Sequence, residues 1–168
     1  MKVSEIMTKN SVMFCSPRTS LSAAARSMKK ANCGALPVVG EDHRVVGIVT
    51  DRDICLSLAV KQTKEQAELN IGDILTQKLF VVHPEDTLLF AFKIMRLNKV
   101  SRLPVVDQNG FLKGIISIHS LISHFISPDG QLTFHDEEGE NLCRTIKALS
   151  DRYTINEKPI YEVVFTAG

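Results

Sequence analysis

The sequence predicts a mixed α/β (α+β) fold built from two tandem repeats, each with the order strand, helix, strand, strand, helix. Three observations lead to this prediction: the sequence aligns with itself after a shift of 67 positions, apolar residues recur at helical spacing, and apolar runs flank polar turns. The shift places Leu36–Val39 on Leu103–Val106, each reading Leu-Pro-Val-Val. We therefore expect residues 3–60 and 71–127 to be two copies of one unit.

The first helix of each repeat is predicted from apolar residues spaced i, i+3, i+4 and i+7, which lie on one face of a helix and are expected to be core or to form a surface between modules. A short strand is expected before each helix. Candidate N-caps precede both stripes, Thr19 or Ser20 in the first repeat and Asp86 or Thr87 in the second. The stripes are Leu21, Ala24, Ala25 and Met28, and Leu88, Ala91, Phe92 and Met95.

A β-hairpin is expected after each of these helices, because two β-rich apolar runs flank a polar turn. A second helix is then expected to begin near Asp51 in the first repeat and near Ile118 in the second. The predicted strand pairs are Leu36–Val39 with Val45–Val49, and Leu103–Val106 with Leu112–Ile116.

The repeats are expected to fold together, because a unit of fewer than about sixty residues buries too little surface to be stable alone. Residues 61–70 form a polar linker between them, and residues 128–168 form a C-terminal extension. Within the extension, the sequence predicts a helix over about Glu140–Tyr153 and a β-like run at Ile160–Phe165. Its apolar content favours an ordered extension over a disordered tail.

Composition and charge exclude several classes of function. Twenty basic and 19 acidic residues give a net charge of +1, which does not favour a nucleic-acid or membrane surface. The sequence contains neither a spanning apolar segment nor a signal-peptide core, so we expect a cytoplasmic protein. The four cysteines and five histidines are scattered, which argues against a metal site. No nucleophile–base pair or phosphate loop stands out, so we do not expect an enzyme.

One motif has the chemistry to bind a ligand. In Gly47–Asp53 a strand gives way to a helix, with the Thr50 hydroxyl at the junction and the Asp53 carboxylate three residues later. A helix N-terminus attracts phosphate, and an ionised carboxylate can accept both hydrogens of a ribose diol. Arg52 could face phosphate or water. The same Thr-x-x-Asp spacing is close to a capping box, which only satisfies free backbone N–H groups.

The second repeat carries the same motif without its acid. Ser117 keeps the hydroxyl at the junction, but Ser120 stands where the first repeat has Asp53. A purely structural role gives no reason for a carboxylate in one copy only. This difference favours ligand binding over capping alone.

These motifs resemble the cystathionine β-synthase (CBS) domain, which occurs as a tandem pair called a Bateman module. The resemblance rests on the duplicated Leu-Pro-Val-Val strand followed by Gly-Ile-Val-Thr-Asp-Arg-Asp, and it covers residues 3–127. It implies a pseudo-twofold pair with two clefts that bind AMP, ADP, ATP, S-adenosylmethionine or NAD as a regulatory ligand. No required cofactor is implied.

The resemblance also implies roles for residues of the first cleft. Asp53 would hold the ribose hydroxyls, and Thr50 would face the ribose or phosphate. Arg102 would bind phosphate through its planar fork of donors. The remaining candidates are Leu79 and Phe80 as an adenine clamp with Ser101 nearby, and His119 as a phosphate neighbour. For Phe80 a core position is the alternative, and for His119 an exposed one.

The second cleft departs from the family pattern, since it lacks the acid and has Ala35 where the other repeat has Arg102. We predict one competent site and one weak or empty site. The residues of the second cleft would be Thr8, Met13, Cys33, Gly34, Ser117 and Ser120.

The resemblance further implies partners. We expect a homodimer formed through the helices and an unidentified effector protein that reads the bound state. The alternative is a structural or dimerisation module that binds no small molecule.

Overall fold

The computed structural model describes residues 1–60, 69–75, 78–127, 129 and 137–151. Both repeats contain the predicted helices and hairpins, and a 3₁₀ turn, Ile71–Asp73, begins the second repeat. In chain order the elements are α1 (Val3–Ile6), α2 (Leu21–Ala31), β1 (Ala35–Val39), β2 (Val45–Thr50), α3 (Asp51–Val60), α4 (Leu88–Asn98), β3 (Arg102–Val106), β4 (Leu112–Ser117), α5 (Ile118–Phe125) and α6 (Glu137–Ser150).

The two hairpins have the same register, which confirms the repeat. β1 pairs with β2 and β3 pairs with β4, both antiparallel. Pro37 faces Ile48 in one hairpin, and Pro104 faces Ile115 in the other. Each ladder shifts register at the same place, before the last valine of its first strand.

The short strand expected before the first helix of each repeat is observed only as an isolated β-bridge. Cys15 pairs in parallel with Val38, and Val82 with Val105. A proline follows two residues after each bridge, Pro17 in the first repeat. Proline has no N–H to donate and a fixed φ, so the pairing does not continue into the following residues.

At the start of α2 and at the start of α4, one of the two predicted N-cap candidates forms the cap. The Ser20 hydroxyl accepts a hydrogen bond from the Ala23 N–H at 3.3 Å, and the Thr87 hydroxyl accepts one from the Phe90 N–H at 3.2 Å. The predicted apolar stripes are buried except at Ala25, which is exposed on α2. Ala25 therefore lies on the surface and not in the core, whereas Phe92, its equivalent in α4, is buried in the core cluster that also includes Leu142 of α6.

Each repeat packs its own N-terminal segment against the other repeat. The Val3 N–H donates to the Asp86 carbonyl at 2.8 Å, and Val3 is fully buried in the core of the second repeat. In return, the Ile71 N–H donates to the Thr19 carbonyl at 2.8 Å, and Ile71 lies in the core of the first repeat. Each core is thus completed by residues of the other repeat, and the pair forms one folding module.

The helix predicted in the C-terminal extension is observed as α6, which packs on α4 and α5. Leu142 and Leu149 are buried on its inner face. The β-like run predicted at 160–165 and most of the predicted linker, residues 61–68, lie outside the described residues. None of the described helices has both the length and the apolar character needed to cross a membrane.

Candidate functional site

The Thr-x-x-Asp motif forms the N-terminal cap of α3. The Thr50 N–H and hydroxyl both donate to Asp53 Oδ2, at 2.9 Å and 2.7 Å, and the Asp53 N–H donates back to Thr50 Oγ1 at 3.2 Å. These reciprocal bonds are those of a capping box. Among the described residues, Asp53 Oδ1 accepts no hydrogen bond. One carboxylate oxygen is therefore committed to the cap, and the other is free to accept hydrogen bonds from a ligand.

The second repeat builds the same cap from two hydroxyls. The Ser117 N–H donates to Ser120 Oγ at 2.9 Å, and the Ser120 N–H donates to Ser117 Oγ at 3.1 Å. The Ser120 hydroxyl also donates to the Ser117 carbonyl at 2.8 Å. A serine is therefore sufficient for capping at this position, and capping alone does not explain the carboxylate of Asp53.

A cavity of about 690 Å³ lies between α2 and α3, close to this cap. Its lining includes Gly34, Asp51 and Arg102, which lie close together, and the apolar residues Ala25 and Leu58. Thr50 and Asp53 are not among its lining residues, although Asp51 immediately follows Thr50. The cavity therefore reaches the first turn of α3.

Arg102 extends from the second repeat towards this first turn. A Cβ atom added at Gly34 would lie 3.3 Å from Arg102 Nη2 and 3.0 Å from Asp51 Oδ2, so the glycine leaves room for both side chains. Arg102 Nη1 donates to Ser101 Oγ at 3.4 Å. Within the described part of the chain, Arg102 forms no ion pair. Its charge is available for an anionic ligand.

The CBS domain model matches residues 3–60 and 71–127 of this sequence. The chain belongs to the CBS domain family. The mitochondrial CBS domain-containing protein CBSX3 of Arabidopsis thaliana is 33% identical over 114 residues, which cover 66% of this chain and 54% of CBSX3. The chain thus spans about half the length of that relative.

Solved CBS domain pairs have the same fold as this chain. The CBS domain pair of protein MJ0100, in complex with 5′-methylthioadenosine and S-adenosyl-L-methionine, has a TM-score of 0.64 and 26% identity, and the match covers 74% of this chain and 95% of that one. CBSX2 in complex with AMP has a TM-score of 0.63 and 27% identity, and covers 73% of this chain and 94% of its own.

The other residues predicted for the first cleft of this CBS pair lie in different environments. Phe80 is half-buried and packs against the core of the second repeat. Leu79 is also half-buried, whereas Arg52 and His119 are exposed at the starts of α3 and α5. Arg102 and Ser101 are half-buried and contact each other.

The residues predicted for the second cleft are only partly brought together. Ser117 and Ser120 form the cap of α5, while Thr8 is paired through its backbone with Ile115 of β4. Met13 is exposed. Cys33 and Gly34, which we assigned to this cleft, line the cavity between α2 and α3 together with Arg102.

Asp51 was not predicted as a site residue, although it lies beside Gly34 at the start of α3. The internal repeat contains a signal for it, because Ile118 is the equivalent residue in the second copy. An acid that is present in only one of the two copies is also the feature that singled out Asp53. Among the described residues, no group of three or more His, Cys, Asp or Glu side chains could hold a metal ion.

Proposed function

We propose that this CBS pair is a regulatory module that binds an adenosine nucleotide at the first turn of α3 and signals its presence to a partner protein. The observation that carries the proposal is that the two carboxylate oxygens of Asp53 have different hydrogen-bonding environments. Its Oδ2 atom makes the cap, whereas Oδ1 has no partner among the described residues. Because Ser120 caps α5 without a carboxylate, the acid is available for a further role.

The chemistry of the site suits the ribose and phosphate of a nucleotide. Asp53 Oδ1 can accept hydrogen bonds from the ribose hydroxyls, since an ionised carboxylate is an acceptor only. The Arg102 guanidinium lies near the same helix turn and offers a planar fork of donors for phosphate. The N-terminus of α3 adds a favourable dipole for the anion.

Two structural relatives support the class of ligand. The ligand of CBSX2 is AMP, and those of the MJ0100 domain pair are 5′-methylthioadenosine and S-adenosyl-L-methionine. All three ligands contain an adenosine moiety with a ribose 2′,3′-diol. We accordingly propose AMP, ADP or ATP as the ligand of this chain, with S-adenosylmethionine and NAD as further members of the class.

The proposed role is regulatory rather than catalytic, and it requires no other cofactor. Differential affinity of the nucleotide for two packings of the repeats would be enough to transmit a signal. A homodimer, an effector protein and a cytoplasmic location stay predictions of this account.

A thermal-shift panel with a matched variant tests the proposal. Asp53→Ser copies the cap of the second repeat and removes only the carboxylate. A loss of ligand binding in this variant can therefore be distinguished from a loss of folding. The ligands are AMP, ADP, ATP, NAD, S-adenosylmethionine, 2′-deoxy-AMP and GMP as the base control. A ligand at about 100 times its Kd should stabilise the protein by roughly 2.7 kcal/mol.

Stabilisation by an adenosine compound, weaker for the deoxy form and lost in Asp53→Ser, would establish the site. A flat panel for the wild-type protein would instead support a structural or dimerisation module, in which Thr50 and Asp53 act as a helix cap only.

A further inference from the structure

Helix α4 carries a second apolar stripe on its outer side. Phe90, Ile94 and Leu97 are spaced i, i+4 and i+7, which places them on one face of the helix. Phe90 is 43% exposed and Leu97 is 66% exposed, whereas Ile94 is half-buried. No described element therefore covers the two ends of this outer stripe. It differs from the buried face of α4, which is formed by Leu88, Ala91, Phe92 and Met95.

The internal repeat shows that the fold does not require the outer stripe. In α2, the three equivalent positions are occupied by Ala23, Ser27 and Lys30. Both helices nevertheless have 11 residues and the same kind of N-cap. A contiguous apolar surface that is exposed usually marks a site of contact. The outer stripe is thus a feature of the second repeat, which is the repeat that α6 covers.

The chain leaves α6 beside the outer stripe. Arg96 Nη1 donates to Asn141 Oδ1 at 3.4 Å, and Lys99 Nζ donates to the Ala148 carbonyl at 2.7 Å. Ala148 lies in the last turn of α6, so this helix ends next to the C-terminal end of α4. Leu97 precedes Lys99 by two residues. The residues that follow α6 therefore start close to the exposed end of the stripe.

The sequence after α6 contains an apolar run that can reach the stripe. Ile160 follows nine positions after Asp151, a length of chain that spans up to about 30 Å when extended. The outer stripe is only about 10 Å long, because seven residues of helix rise by about 1.5 Å each. In an extended run, Tyr161, Val163 and Phe165 would share one side at intervals of about 7 Å. These three apolar side chains match the stripe in number and, approximately, in length.

We propose that the run at residues 160–165 docks on the outer stripe, with its alternating apolar side chains against Phe90, Ile94 and Leu97. The occupant is a segment of the same chain, because the stripe occurs in the repeat that α6 covers and because the chain leaves α6 at the end of that stripe. The C-terminal extension then contacts α4 on two sides, α6 on one and the run on the other. The proposal does not depend on nucleotide binding at Asp53.

A single introduced tryptophan can report on this contact, because the chain contains none. Phe165→Trp in the full chain places an indole within the run, and acrylamide quenching of its fluorescence measures how accessible the indole is to solvent. A peptide of residues 152–168 with the same change provides the quenching constant of an exposed indole. We expect the quenching constant of the full chain to be about threefold lower, since a docked ring is largely shielded from water.

A stripe variant and a matched control, both on the Phe165→Trp background, locate the contact. The stripe variant combines Phe90→Ala and Leu97→Lys, which copies the residues of α2 at these positions. Both positions are exposed, so the fold should be retained, as circular dichroism would verify. The quenching constant should rise to that of the peptide. The control is Leu56→Lys, at a position that is 51% exposed on α3, and it should change the quenching constant by less than about 1.2-fold.

Three results would overturn the proposal. One is a quenching constant in the full chain equal to that of the peptide, because the run would then be undocked. Another is shielding that the stripe variant retains, or that Leu56→Lys loses as well, because the contact would not be specific to the stripe. The third is shielding that disappears on dilution from about 100 µM to about 1 µM, because the run would then contact a second copy of the chain.

Discussion

Thr8 and Ile115 exchange both of their backbone hydrogen bonds, at 2.9 Å and 3.1 Å, although Thr8 belongs to the first repeat and Ile115 to the second. The pairing fastens the N-terminal segment to β4, while Val3 fills the core beneath it. The equivalent segment at Ile71 packs on the first repeat. The exchange means that neither repeat has a complete core without the other.

The glycine beside this contact should be sensitive to substitution. A Cβ atom added at Gly114 would lie 2.7 Å from the Thr8 carbonyl oxygen, which is held in the bridge. At the equivalent Gly47, the nearest atoms belong to the Leu75 side chain, which can move. We expect Gly114→Ala to lower the free energy of unfolding by about 1–3 kcal/mol, and Gly47→Ala by less. Urea unfolding of both variants measures the difference, and equal losses would contradict the explanation.

Replacing Asp53 in the cap of α3 by serine should lower the free energy of unfolding less than replacing it by alanine. Asp53→Ala removes the acceptor of the Thr50 bonds and is expected to cost about 1 kcal/mol of unfolding free energy. Asp53→Ser should cost only a few tenths, since Ser120 makes the same cap in α5. Chemical denaturation of the ligand-free proteins tests this order. If serine were as destabilising as alanine, the two caps would not be equivalent.

Arg102 should distinguish phosphorylated from unphosphorylated ligands. Loss of a charged hydrogen-bond donor is expected to weaken AMP binding by about tenfold or more in Arg102→Ala and to leave adenosine binding nearly unchanged. Arg26→Ala is the matched control, because Arg26 is exposed on α2 and does not line the cavity. Titration of the three proteins with AMP and with adenosine provides the comparison. An equal loss for both ligands would show that Arg102 does not contact the phosphate.

The cysteines should differ in their reaction with iodoacetamide. Burial raises the pKa of the Cys15 thiol to about 11, so at pH 8 very little of it is thiolate. Cys55 and Cys143 are exposed. Since the thiolate is the nucleophile, the folded protein should be alkylated at Cys55 and Cys143 well before Cys15. Mass spectrometry follows the sites over time, and unfolded protein is the control in which Cys15 should react as fast as the others.

The sequence repeat predicted much of the fold because its two copies constrain one another. Apolar spacing and N-cap chemistry are local properties, and the caps at Ser20 and Thr87 and both hairpins followed from them. The segment exchange could not be predicted in this way. Val3 and Ile71 present the same apolar pattern whether they pack on their own repeat or on the other, so periodicity does not distinguish the two arrangements.

The site was predictable to the extent that it depends on local chemistry. The spacing of Thr50 and Asp53 indicated a capping box or a ligand site, and the structure shows the cap together with a free carboxylate oxygen. Whether Ala25 lies in the core or on the surface could not be decided from the sequence, because it depends on which repeat α6 covers. The position of Gly34 beside Arg102 likewise depends on how the repeats dock.

The central claim is that one cleft is competent to bind a nucleotide because Asp53 supplies a carboxylate that the second repeat lacks. Isothermal titration calorimetry with AMP, or with the adenosine compound that gives the largest thermal shift, tests it most directly. We predict about one binding site per chain for the wild-type protein, and no measurable binding for Asp53→Ser at the same concentrations. Two equal sites per chain, or unchanged binding by Asp53→Ser, would contradict the account.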